Sequence, residues 1–113
     1  MSIHGDLTER VRLLLRRQMK FSEKKMFGGL AFLLNGNMCC GVHKGELIVR
    51  FAPGNTDRYL ALPHTRIFDL SGRPMRGWIL VAPAGLVDDE ALTKWLQLAI
   101  GYASSLPPKR SPL

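Results

Sequence analysis

Cysteine is almost missing from this chain: only Cys39 and Cys40 carry thiols among 113 residues, and they are neighbours. A bridge between adjacent cysteines is geometrically strained, so the pair does not read as the framework of a small secreted protein, and a reducing cytoplasm is expected. Long apolar runs are missing as well. No stretch approaches the roughly 20 apolar residues of a transmembrane helix, and the opening Met1-Ser2-Ile3-His4-Gly5-Asp6 lacks the basic-then-apolar order of a signal peptide. No membrane role is expected. Acidic residues are scarce, nine against 16 Lys and Arg, which leaves a formal charge of +7. Internal repeats, long linkers and low-complexity tracts are absent.

What is present suits one globular domain spanning residues 1–113. With 46% apolar and 22% charged residues the composition is ordinary. A chain of this size buries about two thirds of its unfolded surface and needs no disulfide or structural metal. The core is expected over residues 6–105, with 106–113 as a flexible tail after Leu106-Pro107-Pro108.

Leu7, Val11, Leu14, Leu15 and Met19 recur at helical spacing, which predicts an amphipathic first helix over Asp6–Lys20. Acids lead its first turn and bases follow, the order its dipole favours. The apolar run Leu30–Leu34, the turn Asn35-Gly36 and the return Met38–Val42 predict a hairpin. The connection His43-Lys44-Gly45 then leads into a third strand, Glu46–Phe51, with Leu47, Val49 and Phe51 on one face. Pro53-Gly54 ends it, and Asn55 or Thr56 is placed to cap a short helix that Pro63 stops. Arg66–Leu70 and Gly77–Ala82 read as two further strands. Asp88, followed by Asp89 and Glu90, caps a last helix whose stripe is Leu92, Trp95, Leu96, Ala99 and Ala103. The order is αβββαββα: an α+β, two-layer sandwich with a five-stranded antiparallel sheet. If both long helices cover one face, Leu34, Met38 and Cys40 are candidates for an apolar patch on the other, and a homodimer would bury it.

The elements Lys25-Met26-Phe27-Gly28-Gly29, Asn35-Gly36 and Arg73-Pro74-Met75-Arg76-Gly77-Trp78, with Pro83 ahead of an acidic helix start, resemble TfoX/Sxy N-terminal domains. The likeness covers most of the chain, and Met26-Phe27-Gly28-Gly29 is its family motif. It implies a two-layer, secretion-chaperone-like fold and a relation to regulators of natural competence that work with the transcription machinery. The separate helical C-terminal domain of those regulators has no counterpart in these residues. No catalytic residue set is implied.

Chemical constellations are sparse. Gly28-Gly29 lacks the flanking pattern of a nucleotide-binding loop and reads as close backbone packing. Cys39 and Cys40 with His43 suggest a thiol metal site or nucleophile, but successive strand residues point to opposite faces, so one core and one surface cysteine are expected, the latter open to oxidation. His4 and His64 have no companions at ligand spacing. Trp78 and Trp95 sit in apolar stripes as core anchors. Asp88-Asp89-Glu90 reads as a helix start. No cofactor or metal is expected.

The basic residues Arg12, Arg16, Arg17, Lys20, Lys24 and Lys25 are the candidate anion or nucleic-acid contacts, giving salt-sensitive binding without base readout. The leading functional expectation is a non-enzymatic regulatory or adaptor module that binds a protein partner. The alternatives are a nucleic-acid-associated protein using the basic first helix, and a small-ligand binder or enzyme.

Overall fold

A computed structural model describes residues 3–26, 28–69 and 72–108, with side chains from Leu7 onward. Helix α1 runs Ile3–Arg16, followed by four strands: β1 Ser22–Met26, β2 Gly29–Leu34, β3 Asn37–His43 and β4 Glu46–Arg50. A single 3-10 turn at Pro53–Asn55 leads into the short α2, Thr56–Leu60. Strands β5, Thr65–Ile67, and β6, Trp78–Val81, precede a second 3-10 turn at Pro83–Gly85 and the long α3, Asp89–Ser105. The sheet is antiparallel throughout, in the order β1-β2-β3-β4-β6-β5.

The α+β class and the two-layer arrangement hold, but the sheet has six strands, not five. The addition is β1, Ser22-Glu23-Lys24-Lys25-Met26, which pairs with β2 from Ser22↔Leu33 to Met26↔Gly29. Four of its five residues are exposed, so it carries no apolar alternation to mark it. Lysines on an edge strand also discourage another chain from adding to the sheet. To reach this edge, α1 stops at Arg16 instead of Lys20; Gln18 and Met19 both donate backbone N–H bonds to the Leu15 carbonyl, at 2.9 Å each, and close the turn. Phe21 then packs edge-on against Phe32, with centroids 5.5 Å apart.

The tight turns follow their sequence. Asn35 and Gly36 have φ of 52° and 81°, the left-handed pair that a two-residue hairpin turn requires. Gly29 meets a different demand, because a Cβ there would lie 2.3 Å from the Val42 carbonyl oxygen. Strand β5 is shorter than expected, and its register is Ile67↔Ile79, Arg66↔Leu80 and Thr65↔Val81. Phe68 lies past its end, donating to the Trp78 carbonyl at 3.1 Å, and Leu70 lies outside the described residues. Asn55 makes no side-chain cap for α2. Buried Thr56 instead donates to the Pro53 carbonyl at 2.6 Å and accepts from the Gly77 N–H at 2.9 Å, tying the connection after β4 to the start of β6.

Helices α1 and α3 cover one face. Leu7, Val11 and Leu15 of α1 and Leu92, Leu96, Ala99 and Ala103 of α3 pack on Phe32, Leu47, Val49, Phe51, Ile79 and Val81. Asp88 caps α3 as expected, accepting from the Ala91 N–H at 2.8 Å. A smaller cluster of Ala31, Met38, Ile48, Phe68 and Leu80 seals the opposite face. The apolar patch expected there is not formed: Leu34 and Cys40 pack on the helix side, and Met38 is buried within the smaller cluster.

Candidate functional site

The six candidate anion contacts do not form one surface. Arg12 is engaged by two carboxylates: Nε and Nη2 grip Glu23 at 2.7 and 2.8 Å, and Nη1 pairs with Glu9. This bidentate link fastens α1 to the β1 edge. The hydrogen bond from Arg12 lowers the Glu23 pKa, and the pairing raises that of Arg12. Lys25 shares a cleft of about 610 Å³ with Arg12, Gly28 and Gly29. Arg16 and Lys20 flank a separate depression with Phe21 and Glu23. Arg17 is exposed just beyond α1. Lys24 faces the other side of the sheet, since its partner Ala31 belongs to the smaller cluster while Leu30, opposite Lys25, packs on the helix side.

The motif is structural at its described positions: Met26 packs on the smaller cluster, Gly28 takes φ +74° in the β1–β2 turn, and Gly29 makes the close approach to Val42. Phe27 lies outside the described residues.

The cysteine expectation is corrected. Both thiols are fully buried, and both belong to the helix-side core. The cause is a β-bulge. Phe32 pairs with Cys40 and Leu33 with Met38, so Cys39 is the extra residue and alternation fails at that point. The side-chain hydrogen bond with Cys39, reinforced by burial, pushes the Cys40 thiol well above its ordinary pKa. A neutral, shielded thiol is a poor nucleophile and metal ligand. Among the described residues, no group of three or more His, Cys, Asp or Glu is placed to hold a metal ion.

A groove of about 560 Å³ between α2 and α3 was not anticipated from the sequence. Its apolar wall is Tyr59, Leu62, Trp95 and Leu98, and its rim carries Asp88, Glu90 and Lys94. Buried Phe51 supports Tyr59 edge-on at 4.8 Å, and Tyr59 in turn meets Trp95 edge-on at 6.1 Å. The aromatic floor is therefore anchored to the core. Leu62 remains 45% exposed, and Val87, beside rim residue Asp88, 78%. The i, i+3 pairs Tyr59/Leu62 and Trp95/Leu98 were visible in the sequence. Nothing there showed that the two pairs would face each other across a long connection.

The TfoX N-terminal domain family model matches residues 13–103, from the last turn of α1 to near the end of α3. The chain belongs to that family. Comparison with curated proteins and with solved structures returned no match. As a TfoX N-terminal domain the chain is, broadly, a regulatory or competence-related module, and the family is not known as an enzymatic one. The match takes in β1, the glycine turn and both walls of the α2–α3 groove. No helix among the described residues is long and apolar enough to cross a membrane.

Proposed function

We propose that this TfoX N-terminal domain is a cytoplasmic, non-enzymatic adaptor that regulates by holding a protein partner in the groove between α2 and α3. The observation that supports this reading is the groove itself: an aromatic and aliphatic wall, fixed from behind by Phe51, left open to solvent at Leu62. Rigid aromatic anchors in a concave apolar site are what hot spots of protein interfaces are made of. The partner's chemistry follows from the rim. Asp88 and Glu90 outnumber Lys94 on a protein whose net charge is +7, so the occupant is an amphipathic segment with an apolar ridge and a basic flank.

The nucleic-acid reading is weaker, because Arg12 is occupied by Glu9 and Glu23 and Lys24 faces away from the α1 side. Both readings meet in one experiment: affinity capture from native lysate, with and without nuclease, using the parent, Leu98→Glu, and the double variant Arg16→Ala/Arg17→Ala. The adaptor reading expects a nuclease-resistant partner lost with Leu98→Glu and kept with the double variant. Recovery that is nuclease-sensitive, and lost only with the double variant, would replace it with nucleic-acid binding. Light scattering of the purified chain checks the separate proposal of a homodimer.

A further inference from the structure

The face of the sheet away from α1 and α3 carries a depression of about 330 Å³, remote from the α2–α3 groove and sharing no residue with it. Phe68 and Leu80, each 3% exposed, form its apolar floor. Charged and polar groups converge on it from five places. His43 ends β3, Lys44 sits in the following turn, Glu46 begins β4, Arg66 lies on β5, and Asp69 follows Phe68.

The register explains the convergence. Leu80 of β6 is flanked by Ile48 of β4 and Arg66 of β5, so Arg66 shares the open face with the floor. Glu46, two residues before Ile48, points the same way. The Arg66 guanidinium crosses over β6 to pair with Glu46, although β4 and β5 are not neighbours in the sheet. Two strand spacings separate them, about 10 Å of backbone. Arg66 retains further N–H donors, and the Glu46 carboxylate further lone pairs.

The fixed charges balance, Lys44 and Arg66 against Glu46 and Asp69. A polyanion such as a nucleotide would meet two carboxylates, and a polycation two bases. The molecule that matches alternating charges over an apolar floor is a small zwitterion with a greasy side chain. We propose that this depression binds a free aliphatic α-amino acid, its carboxylate on Arg66, its ammonium between Glu46 and Asp69, and its side chain on Phe68 and Leu80.

The test is amide NMR titration of the whole chain with L-leucine, beside 4-methylpentanoate, which lacks the ammonium, and 3-methylbutylamine, which lacks the carboxylate. Saturable shifts are expected at residues 43–46, 66–69 and 80 with L-leucine, and affinity about tenfold or more weaker for each single-charge analogue. Arg66→Ala, an exposed edge position, should weaken leucine binding by a similar factor while the amide spectrum stays folded. Asp69→Asn, on the loop, provides a second variant that does not touch the Arg66–Glu46 pair. The proposal is overturned if millimolar L-leucine gives no saturable shift in these residues, if the analogues bind as well, or if both variants bind as the parent does. Lower thermal stability in Arg66→Ala without any leucine response in the parent would make the ion pair a staple between β4 and β5 only.

Discussion

Leu47 and Ile48 are consecutive residues of β4, both fully buried, and they are buried by different means. Leu47 faces a layer of two long helices, α1 and α3, whose own backbones are satisfied internally. Ile48 faces the smaller cluster, where Met38, Phe68 and Leu80 close over it with Met75 from the connection before β6 and Trp78 from the first position of that strand. One face is sealed by regular structure, the other by side chains on strands and an irregular return. The comparison teaches where a change can be absorbed. A helix layer relaxes little around a lost methyl group, whereas a loop-borne cover can settle.

The largest effect that sharpens this contrast is chemical. Cys39 and Cys40 both lie on the helix-covered side because of the bulge, so their reaction with a thiol reagent at neutral pH must wait for unfolding. It should run about a thousandfold or more slower than in denaturant. A fast-reacting thiol in the folded chain would place one cysteine at the surface. Next, Leu47→Ala should cost about 4 kcal/mol and Ile48→Ala about 2 kcal/mol in denaturant unfolding, the difference measuring how far each cover collapses. Equal losses would break the distinction between the faces.

Comparable with the Ile48 loss, Thr56→Val removes the donor to Pro53 and the acceptor for Gly77, and should cost about 2 kcal/mol. This is the joint that positions α2, so the α2–α3 groove should weaken with it while the open face keeps its spectrum. The smallest effect belongs to the Arg12–Glu23 link, worth less than about 1 kcal/mol at this exposure. Because the Glu23 pKa is lowered in the folded chain, this contribution is present above the ordinary value of 4.5 and is lost as pH falls through the lower, folded value. Glu23→Gln should remove that acid-side slope and leave stability at neutral pH nearly unchanged.

Much of the helix-side face was legible in the sequence. The stripe from Leu7 to Leu15, the alternation Leu47, Val49, Phe51, and the Asp88 cap are local signals that packing then used. The β1 strand was illegible because edge strands need no apolar face, and Ser22–Met26 is held by backbone pairing to β2. The cysteines misled for a related reason: strict alternation assumes an uninterrupted ladder, and the extra residue at Cys39 is a tertiary event. The groove and the open-face depression were hidden because each joins residues far apart in the chain, Tyr59 to Trp95 and His43 to Arg66. The basic residues were countable, yet their count did not say that Arg12 would be neutralised by Glu23.

The central claim is that partner contact occurs through α2 and α3 and not through the face carrying Lys24. In-cell photo-crosslinking tests it most directly, with a photoreactive residue placed at Leu62 in one version and at Lys24 in another. The account predicts a discrete protein adduct from position 62 and none from position 24. An adduct from position 24 alone, or the absence of any from position 62, would contradict it.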